Sequence, residues 1–166
     1  GTRYAVATAV VPTGLATTSY VGFDCGSGAL LAGQTICKDA LGKITCNKPT
    51  STVTCACVAT GLSESCPSMT PVNTTAFNNV VTRMQVIAPA IAASNVSVSY
   101  SGSGIGYAGD PATDDSGNAL SDISPIVTVQ IDSLRLQSFS LLGFGIRLPS
   151  FRYSQTLEDG EGAKAY

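Results

Sequence analysis

Between residues 73 and 102 the chain changes its hydrophobic period once. Phe77, Val80, Val81, Met84, Ile87 and Ile91 recur at the i, i+3, i+4, i+7 spacing of one helical face, while Asn78, Asn79, Thr82, Arg83 and Gln85 fall elsewhere. Val96, Val98 and Tyr100 then alternate with Asn95, Ser97, Ser99 and Ser101, the period of a half-buried strand. The pattern predicts a main helix over about 75–92, with Asn73, Thr74 or Thr75 as its cap and Pro89 ending or kinking it near Ala88.

Elsewhere the signals are shorter. Val127, Val129 and Ile131 alternate with Thr128, Gln130 and Asp132, which predicts a strand antiparallel to the one ending at Ser101. Farther on, Ile146 and Leu148 hold even positions whereas Phe151, Tyr153 and Leu157 hold odd ones, so a bulge or an edge-strand kink is expected at Pro149 and Ser150. Residues 15–71 alternate turn residues with short apolar pieces, 20–23, 43–46 and 53–58, that read as short strands or hairpins. Residues 1–11 are small and apolar and stop at Pro12 and Gly14; helix is preferred over strand there, as a short N-terminal stub. Residues 158–166 read as a polar tail. The expected fold class is α+β: an antiparallel sheet of about four strands against one main helix, as a single domain over residues 1–166.

Composition narrows the setting. Only 12% of the 166 residues are charged and the formal net charge is -2, so no basic field is present to hold a phosphate backbone, and nucleic acid is not an expected partner. Cys25, Cys37, Cys46, Cys55, Cys57 and Cys66 all fall within residues 25–66. An even count in one subregion favours disulfides and an oxidising compartment, and makes this subregion a cross-linked excursion with little core of its own. The spacing leaves the pairing open, except that Cys55 and Cys57 are expected to bond elsewhere and not to each other. Zinc is the rival reading. The absence of histidine and of any Cys-x-x-Cys pair weakens it. No run approaches the ~20 apolar residues that span a bilayer.

Candidate chemistry is sparse. Gly104-Ile105-Gly106-Tyr107-Ala108-Gly109 matches a dinucleotide fingerprint directly after a strand, but Asp110 and Pro111 follow where a helix should open, so a glycine turn is the better reading. Asp110, Asp114, Asp115 and Asp122, with Asn118, gather oxygen ligands suited to calcium without the spacing of an EF-hand. They form the candidate metal set, and a solvated turn is the alternative. With no histidine and no GxSxG, neither a Ser-His-Asp triad nor a Cys-His pair can be built, and Glu158, Asp159 and Glu161 sit in the polar tail. No catalytic residue is expected, and no cofactor other than calcium. Asn73-Thr74-Thr75 and Asn95-Val96-Ser97 match the N-glycosylation pattern, which recurs by chance.

Several stretches in order resemble the TadE/TadG-like family of tight-adherence pilus pseudopilins. Gly1-Thr2-Arg3-Tyr4-Ala5-Val6 is similar to the segment closing that family's long N-terminal helix, and Arg83-Met84-Gln85 falls in its middle helix. Residues 95–109 with Asp110-Pro111 resemble its strand and glycine loop, residues 124–129 its next strand, and Leu148-Pro149-Ser150-Phe151 with residues 156–160 its closing segment. The cysteine-rich stretch from Cys25 to Cys66 is not among the segments that carry the resemblance. The resemblance implies a non-catalytic minor pilin or pseudopilin that helps initiate or cap a pilus by packing with other pilus subunits. It also implies a leader and an apolar membrane helix ahead of Gly1, and a place on the periplasmic face of the inner membrane or on the cell surface. Two further readings stand beside it: an adhesin-like, possibly calcium-dependent binding module, and a secreted enzyme, the least supported.

Overall fold

The computed structural model describes residues 12–59, 61, 64–109, 121–137 and 145–156. Its centre is a five-stranded sheet, antiparallel at every pairing, built from β1 (Lys43–Asn47), β2 (Thr54–Val58), β3 (Val96–Ser101), β4 (Ile126–Ile131) and β7 (Phe151–Thr156) in the order β2-β1-β3-β4-β7. A second ladder pairs β5 (Arg135–Gln137) with β6 (Gly145–Arg147). Two helices are described, α1 (Thr13–Thr17) and the longer α2 (Thr74–Gln85). The α+β class is therefore as expected, with five strands in the main sheet where about four were expected.

The register explains which side chains are buried. Ile44, Tyr100 and Val127 stand side by side across β1, β3 and β4, and Cys46, Val98 and Val129 form the next row. All six are 5% exposed or less, and burying an aliphatic side chain of this size contributes about 2 kcal/mol. Against this face lie Ala76, Phe77, Val80, Val81 and Met84 of α2, in the same core. Asn73 caps α2, its side-chain oxygen accepting from the Ala76 N–H at 2.9 Å. The helix ends sooner than periodicity suggests. Val86 is its C-cap, so Ile87 is exposed, while Ile91 is buried from the turn that follows.

Thr13–Thr17 is a helical turn, with Gly14 inside it at a place where a Cβ would strike the Ser68 backbone. Two local expectations change. The 20–23 piece is a turn, with the Phe23 N–H bonded to Tyr20 O, and not a strand. At Pro149 no residue is inserted. Ile131 faces Phe151, the Leu148 N–H donates to Leu134 O, and Arg135 faces Arg147, so one register runs through both ladders and the pairing simply lapses beside Ser133, which has φ 58°. The bulge is thus absent, and the two ladders share one antiparallel register. Residues 1–11, and with them the proposed N-terminal stub, lie outside the described residues, as does the 158–166 tail.

The cysteine-rich stretch is the largest departure. Its apolar residues Leu30, Ile36, Ala40, Leu41, Ile44, Cys46 and Val53 belong to the common core, and β1 lies inside the sheet between β2 and β3. The excursion thus supplies part of the scaffold rather than standing off from it.

Candidate functional site

The six cysteines form three bridges, Cys25–Cys37, Cys46–Cys55 and Cys57–Cys66, and no cysteine is free among the described residues. Cys55 and Cys57 sit one residue apart on β2 and so share a face, which sends one to β1 and the other to the returning chain. They do not bond to each other, as expected. Cys46 and Cys55 are direct cross-strand partners with Cα atoms 4.0 Å apart. The Cys46–Cys55 bridge locks one edge of the sheet to its interior.

Of the four aspartates in the candidate metal set, Asp110, Asp114 and Asp115 lie outside the described residues. Asp122 is buried and its Oδ2 is occupied: it accepts from the Tyr20 N–H at 2.8 Å, from the Gly109 N–H at 2.7 Å and from the Ser19 hydroxyl at 3.1 Å. Through that oxygen Asp122 holds two backbone amides and a hydroxyl of the protein's own fold. Among the described residues no group of three or more His, Cys, Asp or Glu side chains is placed to hold a metal.

The glycine run is equally committed. The Ile36 N–H donates to Gly106 O, the Gly33 N–H to Ala108 O and the Ala108 N–H to Gln34 O, while Gly109 is bound to Asp122 and Ile105 N–H to the Ser103 hydroxyl at 2.9 Å. A phosphate cradle needs free amides, and those of Ile105, Ala108 and Gly109 already donate within the protein. Gly106, at φ 133°, pairs with Ile123 so closely that a Cβ would run into the Asp122 carbonyl. Of the two glycosylation matches, Asn73 is the α2 cap and Asn95 uses both ends of its amide, accepting from the Ala92 N–H at 3.0 Å and donating to Asp132 O at 3.1 Å.

Beneath this knot lies Tyr20, 1% exposed, its ring edge-on to Phe23 at 5.6 Å. Its hydroxyl finds no partner within hydrogen-bond geometry. Burial pushes the phenol pKa up, and the Asp122 charge adds to this. The Ser65 hydroxyl, which itself donates to Ala40 O at 3.1 Å, acts in the opposite sense and more weakly than burial.

The open surface worth attention is on the other face of the sheet. A groove of about 730 Å³ opens there, lined by the strand residues Thr45, Ala56, Val58 and Ile126 together with the charged Lys38, Lys43, Asp39 and Glu64. Alternation along β1 and β2 turns Lys43, Thr45, Ala56 and Val58 away from the core. Lys38 is set by a 3₁₀ turn whose backbone rests on Gly102, a position with room for no side chain. Polar groups of both signs around an apolar strip suit holding a polar or extended ligand. Sequence reading passed over these residues because they belong to no motif. The one usable signal was the run of Lys43, Thr45, Ala56 and Val58 at period two.

A second open surface is β7. Phe151 and Tyr153 are 49% and 64% exposed although their register neighbours Ile131 and Val129 belong to the core or its border. No helix among the described residues is long and apolar enough to cross a membrane. Compared with family models, with curated proteins and with solved structures, the chain finds no match in any of the three.

Proposed function

We propose that this chain is a non-catalytic assembly domain of a bacterial surface pilus of the tight-adherence type, a minor pilin or pseudopilin that works by packing. The observation that carries the reading is the pair Phe151 and Tyr153, large aromatic side chains held exposed on a regular edge strand beside the core. A part that fits against other subunits needs such a surface. Three disulfides suit a domain working outside the cytoplasm, and the ordered resemblance of residues 73–160 to the TadE/TadG-like family supplies the pilus. On this reading a preceding helix anchors the domain and its partners are other pilus subunits.

The test is genetic. Deleting the gene from its source organism should abolish or shorten the pili seen by electron microscopy. Wild-type complementation should restore them, and a Phe151→Ser, Tyr153→Ser copy expressed at equal level should not. Normal piliation in the deletion strain sinks the proposal.

The mixed-charge groove favours a second reading, an adhesin-like module that holds a ligand between Lys38, Lys43, Asp39 and Glu64. That role predicts pili of normal number with lost adhesion, and a defect in Lys38→Glu, Lys43→Glu that leaves piliation intact.

A further inference from the structure

The face of the sheet turned away from α2 is paved with short hydroxyl side chains. The pairings put Ala56, Thr45, Ser99, Thr128 and Ser154 in one row across all five strands. Ser97 and Ser101 flank Ser99 along β3, since alternate residues of a strand share a face. α2 belongs to the core on the opposite face, with Ile44, Cys46, Val98 and Val127, and every residue of the hydroxyl row is exposed or half-buried. Thr128 and Ser154 bond to each other at 2.7 Å, whereas the hydroxyls of Thr45, Ser99 and Ser101 have no protein partner among the described residues.

Charge is confined to the margins of this face. At one end Arg152 stands opposite Gln130, whose amide donates to both carboxylate oxygens of Asp132 at 2.9 and 2.8 Å. At the other, around the groove, Lys38 and Lys43 are matched by Asp39 and Glu64, so the formal charges cancel. Between these ends β3 and β4 present Ser97, Ser99, Ser101, Ile126, Thr128 and Gln130, none of them charged. A field so balanced favours a ligand without net charge.

Backbone and side chains together say which neutral ligand fits. β1, β3 and β4 lie inside the sheet, so their backbone groups are spent on the strands at either side and an extended peptide would find no main-chain partner here. A hydroxyl both donates and accepts, as do the hydroxyls of a sugar, whereas a carboxylate only accepts and an ammonium only donates. Strands about 4.8 Å apart place successive hydroxyls at the scale of one sugar ring. Such short side chains lose little rotamer freedom when a ligand orders them. In the groove Ala56, Val58 and Ile126 add an apolar strip for the C–H face of the ring.

We infer that the groove and the hydroxyl row beside it hold an uncharged polysaccharide strand. Its C–H face lies on Ala56, Val58 and Ile126, its hydroxyls meet Thr45, Ser99 and Ser101, and Lys38 and Lys43 donate to it from the rim. This ligand class deepens the adhesin-like reading above and rests on its groove.

The experiment titrates the oxidised, ¹⁵N-labelled protein with four neutral hexasaccharides, of α-1,4-glucan, β-1,4-glucan, β-1,4-mannan and chitin, and with two charged ones, of polygalacturonate and chitosan. At least one neutral hexamer should shift the amides around Thr45, Ala56, Ser99 and Ser101 and bind about tenfold or more tightly than either charged one. Its affinity should stay within about twofold between roughly 50 and 500 mM salt, since no net charge is neutralised. Thr45→Val with Ser99→Ala removes two hydroxyls at little change in shape and should weaken binding about fivefold or more, unchanged dispersion elsewhere in the spectrum showing that the variant folds. No shift from any neutral hexamer at about 10 mM, tighter binding of a charged one, shifts centred away from this face, or wild-type affinity in the double variant would each overturn the inference. Hexamer binding with unchanged adhesion of Lys38→Glu, Lys43→Glu cells removes the adhesin-like reading alone; lost adhesion in those cells with no neutral hexamer bound removes this inference alone.

Discussion

Asp122 reaches Tyr20 across about a hundred residues of sequence: its Oδ2 accepts the Tyr20 N–H at 2.8 Å, and through the same oxygen it holds Gly109. One carboxylate thus joins the start of the excursion to the glycine loop. Replacing it by alanine strands the buried Tyr20 N–H and releases the part-buried Gly109 N–H, which should cost about 3 kcal/mol. Asp122→Ala should lower the melting temperature by roughly 6–12 °C, with Asp122→Asn falling between it and the wild type. Thermal melts followed by circular dichroism decide it, and a loss under about 1 kcal/mol would show that the knot contributes little.

Tyr20 makes the opposite prediction. Its buried hydroxyl is without a partner, so Tyr20→Phe should leave stability at pH 7 unchanged or raise it by up to about 1 kcal/mol. The alkaline limb follows from the raised pKa. Below the ordinary phenol value of 10.0 both folded and unfolded states hold the proton and the contribution is constant. Above it the unfolded chain releases the proton first, so stability falls as pH climbs toward the folded value. Urea titrations from pH 7 upward should show that fall in the wild type and a shallower one in Tyr20→Phe.

The bridges can be tested one at a time. Peptide mapping of unreduced protein should return Cys25–Cys37, Cys46–Cys55 and Cys57–Cys66 and no mixed pairs. Cys46→Ala with Cys55→Ala opens a loop of nine residues' separation and should cost about 2–3 kcal/mol by chemical denaturation.

Gly106→Ala should be the most damaging change in the glycine run. The residue sits at φ 133° and its new Cβ would strike the Asp122 carbonyl, so a loss above about 2 kcal/mol is expected, enough to lower the yield of folded protein. Gly28→Ala is the control. It also has a positive φ, 105°, but nothing lies within 4 Å, so its cost should stay near 1 kcal/mol. Comparable melts for the two variants would show that the close approach at Gly106 does not matter.

Period was legible where one side of an element is wet. Phe77, Val80, Val81 and Met84 are buried on α2, and Val96, Val98, Tyr100, Val127 and Val129 are buried on adjacent antiparallel strands, all as their spacing implies. The helix end was not legible, because Ile87 and Ile91 continue the periodicity by chance while the chain has already turned at Val86. The excursion misled for a different reason. Ile44 and Cys46 have only two core positions between turn-rich flanks, too few to announce an interior strand, and their place is fixed by pairing with β3, some fifty residues later. The part Asp122 plays in the fold was not legible, because composition counts its carboxylate but not the three donors that the fold brings to it. The groove was invisible for a related reason: Lys38, Lys43 and Glu64 meet only once β1 and β2 are side by side.

The strand order carries a consequence for how the chain comes together. β1 with β2 closes a short local hairpin, as does the ribbon that ends in β7, so both can form before any distant contact is made. β3 alone borders both, pairing with β1 on one side and β4 on the other. Its docking therefore carries the loop-closure entropy of joining the two halves, and β3 is the segment whose arrival sets the pace of folding.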